Sequence, residues 1–129
     1  MKASEVVFLL LLGAIIWIAG TIYFAHFGPV ILETTSARYW RTFVLCPVGS
    51  ALLCIAILFW RHIPPAHWAS AMLLLAIPGM IGEVVVLTHF SVFMPRLQAA
   101  SGGRYGAFLF AAYALALTAA EVVTLRATL

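Results

Sequence analysis

Four long apolar runs dominate this chain, over residues 6–27, 42–60, 68–93 and 105–125. Each is long enough to cross the roughly 30 Å hydrocarbon core of a bilayer as a helix. Inside lipid every backbone polar group must be paired within the protein, so only helices and closed barrels span it. The runs are continuous rather than alternating, which favours helices over barrel strands. The expected fold is therefore all-α, an integral membrane four-helix bundle forming one domain over residues 1–129. Composition points the same way. At 65% hydrophobic and 9% charged residues, the chain carries more apolar surface than a soluble domain of this size can bury.

The first run follows Lys2 and is too long for a signal-peptide core, and Trp17 and Ile18 stand where a cleavage site needs small residues. It reads as an uncleaved spanning helix. "GPVILETTSARYWR" (28–41) reads as the longest connection, with Tyr39 and Trp40 as interfacial anchors. Pro64 and Pro65 in "RHIPPAHW" (61–68) force an extended turn. "MPRLQAASGGRY" (94–105) is a third, glycine-bearing link.

Four spans put both termini on one side. Lys2, Arg61 and Arg126 then lie on the terminal side, against Arg38, Arg41, Arg96 and Arg104 on the other. A bias of four against three hardly orients a membrane protein. Two readings stay open: one fixed orientation, with the termini outside the cytoplasm and a partner or larger membrane complex holding it, or dual topology and an antiparallel homodimer. The net charge of +3 comes from singly scattered residues, so no nucleic-acid partner is expected; the partner is the lipid bilayer, in a cell membrane of the bacterial inner-membrane kind. Cys46 and Cys54, eight residues apart on one helix, would be roughly 12 Å apart along its axis, too far for a disulfide.

One residue does not fit an apolar span. Glu83 is the sixteenth residue of the third run, near mid-membrane by that count. An ionised carboxylate at such depth costs at least ~2.5–3.5 kcal/mol, so it needs hydrogen-bond partners in the bundle interior or a hydrated cavity. Five residues earlier stands Pro78, which lacks an N–H and crowds the carbonyl of Leu74, predicting a kink. Gly79 and Gly82 permit close approach of another helix. At the depth of Glu83 the other helices present Trp17, Cys54 and Leu117, with Thr21, Ser50, Tyr113 and Thr118 within about a turn. Tyr113 is the expected partner, since a buried phenol needs one. Trp17 and Thr21 share a helix face and form another wall.

His89 falls on a different face of the helix from Glu83 and is a further candidate, able to meet His26 across helices. His62 and His67 flank the proline turn. These histidines lack the thiolates or paired carboxylates of a metal site, so no metal is expected. There is no HExxH, no CxxC and no phosphate-binding glycine loop, and the sequence names no cofactor. Glu5, Glu33 and Glu121 lie near helix ends or in loops and read as solvated.

"GAIIWIAGTIYFAHFGPVIL" (13–32), "AIPGMIGEVVVLTHFSVFMPRL" (76–97) and "GRYGAFLFAAYALAL" (103–117) together resemble DUF5367, a family of small bacterial membrane proteins. The second helix and its flanking loops carry no quoted likeness. The resemblance implies a four-helix membrane protein and brings no mechanism. Pro78, Gly79, Met80 and Glu83 match its most distinctive motif. Glu83 stands where aspartate is expected to be common, and His26 where a basic residue such as arginine is usual, so any shared ion pair is left open.

The function expected is binding or transport of a small lipophilic or cationic solute at an intramembrane site of Glu83, Tyr113, Trp17, Thr21, Pro78 and His89. Two alternatives stand beside it. One is an accessory or assembly subunit of a larger membrane complex. The other is an intramembrane enzyme acting on a lipid, sterol or quinone, with Glu83 as acid or base and Tyr113 or His89 assisting. The non-enzymatic readings are preferred.

Overall fold

A computed structural model describes residues 1–129. It contains four long helices and no strand: α1 (Ala3–Leu32), α2 (Ser36–Trp60), α3 (Trp68–Thr88) and, after a single helical turn α4 (Phe90–Phe93), α5 (Gly102–Thr128). One-turn 3-10 segments at Pro65–His67 and Ala99–Ser101 lead into α3 and α5. Four helices are long and apolar enough to cross a membrane. The protein is a multi-pass membrane protein built as a helical bundle. Its outer face carries exposed Ile15, Ile18, Leu52, Val92 and Phe110, as a lipid-facing surface should.

The helix ends differ from the hydropathy runs in two places. Residues 28–41 are almost wholly helical, and the link between α1 and α2 is only Glu33, Thr34 and Thr35. Apolar Val30, Ile31 and Leu32 carry α1 on through Pro29, and Thr35 caps α2 by accepting from the Arg38 amide at 3.4 Å. The polar residues that look like a loop are the first turns of a helix longer than the hydrocarbon. The third run, conversely, stops early. Thr88 turns its hydroxyl back onto the Val84 carbonyl at 2.5 Å, His89 leaves helical geometry at φ −118°, ψ 46°, and the chain re-forms one turn as α4. At the other end Pro64 is extended as expected, and the next residues add the 3-10 turn.

The backbone N–H of Gln98 and the Ser101 hydroxyl from the α4–α5 link, with Arg104 of α5, close the end of the bundle. Glu33 Oε1 accepts the Gln98 amide at 2.6 Å and the Ser101 hydroxyl at 2.8 Å, and Arg104 donates to the last α1 carbonyl, Leu32, at 2.7 Å. Glu33 is thus a loop anchor rather than a solvated acid. Glu5 is likewise engaged at the opposite end, in a two-pronged pair with Arg61 at 2.9 and 2.8 Å.

Around the bundle the order is α1, α3, α5, α2. The joins α1–α3, α3–α5 and α5–α2 are extensive, whereas α1 and α2 scarcely touch. The α1–α2 seam is pinned at its ends, by the short link at Glu33 and by Glu5–Arg61 with the Phe8 and Trp60 rings 6.0 Å apart. α3 packs against α1, α5 and α2 and is the most buried of the long helices, which makes it the central helix. It admits its neighbours through small residues. α3 is helical throughout, across Pro78. Gly13 of α1 lies on the Leu75 backbone, so closely that a Cβ there would run into the Leu75 carbonyl. Two apolar clusters fill the ends of the bundle, one around Leu9, Leu58 and Met72, the other around Leu32, Val86 and Tyr105.

Candidate functional site

Between those clusters lies a cavity of about 160 Å³, bounded by α1, α2, α3 and α5. Glu83 borders it and is 6% exposed. Its helix ends at Thr88, so the carboxyl sits about 7.5 Å of helical rise from the end of the span. That is nearer one membrane face than a count over 68–93 implies, because the helix breaks at His89.

The altered depth changes the partner. The Tyr105 hydroxyl, in the first turn of α5, donates to Glu83 Oε2 at 3.2 Å and to Oε1 at 3.4 Å. Tyr105 is held there edge-on to Phe24 at 5.2 Å and tilted against Phe90 at 5.7 Å. A carboxylate offers about four lone-pair sites on its two oxygens, so this one phenol leaves it capacity for another group. Residue counting from the hydropathy runs places Tyr105 at the very start of the fourth span and so misses it. The signal that could find it is the need of any buried phenol for a partner near a helix end that faces Glu83.

Tyr113 lies two turns deeper on α5, its hydroxyl packed against Gly79 so tightly that a Cβ at Gly79 would overlap it. It lines the cavity without bonding Glu83. Trp17 fits its indole into the notch left by Gly82. Trp17 approaches the Glu83 carboxyl and Thr21 the Tyr105 hydroxyl, yet Trp17 Nε1 and Thr21 Oγ1 are both buried without a hydrogen-bond partner. Buried polar atoms in that state are uncommon and costly.

Of the residues predicted from sequence, Glu83, Tyr113, Trp17 and Thr21 come together on this cavity, with Ser50 and Cys54 of α2. Pro78, His89 and Thr118 do not line it. His89 is exposed at the end of α3, with Nδ1 3.3 Å from the Val85 carbonyl. No Lys, Arg or His lines the cavity, and no three His, Cys, Asp or Glu side chains gather closely enough to hold a metal ion. Both cysteines are free.

Two cavity residues also reach the outer surface. Gly20 of α1 and Ser50 of α2 are exposed although they line the cavity. Each lies near the middle of its helix, on the two helices that border the sparse α1–α2 seam. The site thus has a side opening toward lipid, between helices pinned only at their ends.

Residues 31–127 match DUF5367, a family of unknown function. The chain belongs to the DUF5367 family. The match includes α2, where the sequence offered no quotable likeness, and the whole of α3 with Pro78, Gly79, Met80 and Glu83. The likeness noted at 13–32 falls outside it except for Ile31 and Leu32. No curated protein and no solved structure matches the chain.

Proposed function

We propose that this DUF5367 protein binds a small lipophilic molecule at the Glu83 cavity, as a carrier or receptor in the cell membrane. One observation carries the reading. A buried carboxyl borders a cavity with two buried groups that approach it or its phenol without completing a hydrogen bond, Trp17 Nε1 and Thr21 Oγ1. A site built only for packing gains nothing from such groups, since each unpaired one costs about 1–3 kcal/mol. A bound molecule that pairs them recovers that energy.

The test is ligand-induced stabilisation in lipid nanodiscs. The probes are a decyl-tailed benzoquinone, which is neutral, and benzyltrimethylammonium, a single-ring cation. A ligand that binds only the folded chain raises its apparent stability with concentration, and the rise saturates as sites fill. The expected result is a saturable upward shift of the unfolding temperature with at least one probe. Glu83→Gln, which keeps size and hydrogen bonding, should weaken it. If neither probe shifts the transition, the proposal fails.

A further inference from the structure

We infer that the cavity holds the ring head group of a quinone-class lipid, whose tail leaves through the α1–α2 seam into the bilayer. This rests on the proposal that the Glu83 cavity is a binding site, and it specifies the ligand by size, access and polarity.

Size comes first. The cavity measures about 160 Å³. Pockets that enclose whole drug-sized molecules measure about 300–1,000 Å³, whereas an apolar cavity of about 150 Å³ accommodates benzene. One six-membered ring fits, and a fused four-ring sterol does not. Anything larger must extend outside.

Access says where it extends. The opening lies between Gly20 and Ser50. A Cβ added at Gly20 would meet nothing within 4 Å. One helical turn from the opening, Tyr23 on α1 and Leu53 on α2 are exposed and largely apolar. A hydrocarbon tail continues into lipid past Gly20 and the single hydroxyl of Ser50.

Polarity selects the head group. Trp17 Nε1 can only donate, and the Thr21 hydroxyl can donate as well. An ammonium head offers donors alone and leaves Trp17 unpaired. A phosphate head needs a cation, and no Lys, Arg or His lines the cavity. A neutral ring carbonyl supplies acceptors without charge. Aromatic Phe24, Tyr105 and Tyr113 on the lining suit an aromatic or quinonoid ring.

The experiment is a quenching titration of tryptophan fluorescence in nanodiscs with a decyl-tailed, fully ring-substituted benzoquinone. Full substitution leaves no ring position for thiol addition at Cys54. Quinones quench a nearby indole, so saturable quenching is expected, reduced in the Trp17→Phe variant by the share Trp17 contributes. A second variant tests the tail. Gly20→Phe adds a ring at a position where a Cβ meets nothing within 4 Å, and its unfolding temperature, compared with that of the natural chain, checks that it folds. It should weaken the tailed probe by about tenfold or more and leave tail-free tetramethylbenzoquinone nearly unchanged. Equal loss of both probes overturns the tail route. Saturable, Glu83-dependent binding of benzyltrimethylammonium without saturable quinone quenching overturns the quinone assignment while leaving the Glu83 cavity a binding site. Absence of saturable binding by either probe overturns both.

Discussion

Tyr105 and Glu83 meet across the α3–α5 interface, the phenol donating to both carboxyl oxygens at 3.2 and 3.4 Å. The pair fixes the side of the cavity nearest the α4–α5 link, and both members are buried. Tyr105→Phe removes the donor and leaves the carboxyl buried. It should destabilise the bundle by about 1–3 kcal/mol. Tyr113→Phe, which removes a hydroxyl that does not bond Glu83, should cost less. Reversible unfolding in bicelles compares the two, and a larger loss at Tyr113 would show that the bonding in lipid is different. The double variant Glu83→Gln with Tyr105→Phe should cost less than the sum of the singles, because the two changes share one interaction.

That pair also shows where sequence reasoning stops. Four spans, a buried Glu83 and a wall of Trp17 and Thr21 follow from hydropathy and helical spacing, because both rules are local. The partner of Glu83 does not follow. It depends on where α3 ends, and Phe90, Val92 and Phe93 beyond His89 are as apolar as the span itself. Hydropathy cannot see a break between two apolar stretches, so Glu83 is placed too deep and Tyr113 is preferred to Tyr105. Glu33 is misread for the complementary reason. A lone acid in a short polar stretch looks solvated, and its partners Gln98 and Ser101 are far away in sequence.

Gly82 and Trp17 form a notch and its occupant. An alanine at Gly82 would drive its methyl into the indole, and overpacking of this kind costs about 1–3 kcal/mol. Gly82→Ala should therefore destabilise the fold although alanine is the better helix former. A smaller side chain at position 17, as in Trp17→Leu, should restore part of the loss when combined with it. Gly103→Ala is the control, since nothing lies within 4 Å of a Cβ there, and it should be neutral or mildly stabilising. Bicelle unfolding of the four variants tests the ranking. Equal losses at Gly82 and Gly103 would refute the notch.

The Glu33 carboxylate holds the α4–α5 link against the end of α1. Glu33→Ala removes the acceptor of the Gln98 amide and of the Ser101 hydroxyl. Hydrogen exchange by mass spectrometry should then speed up over residues 94–101, while the core of α3 around Ala76 and Gly79 stays protected. The cavity lies deeper than the link, so its side chains keep their contacts. Faster exchange throughout α3 would mean that the anchor holds the whole bundle rather than the link.

The open seam makes a prediction that needs no ligand. Trp17 lines a cavity whose side opening lies between Gly20 and Ser50, so acyl chains can approach it from the side. In nanodiscs of lipids brominated along the chain, heavy-atom quenching should reach Trp17. The Trp17 contribution is the difference between the natural chain and Trp17→Phe, which removes Trp40, Trp60 and Trp68 from the comparison. The Gly20→Phe substitution should shield Trp17 and lower that difference, while Trp40, exposed on the outside of α2, is quenched as before. The ion pair at the end of the seam supplies a second handle. Arg61→Met releases Glu5 and loosens α1 from α2 at that end, and should raise the quenching of Trp17. A Trp17 signal that brominated chains do not reach in any of these variants would mean that the seam is closed in lipid.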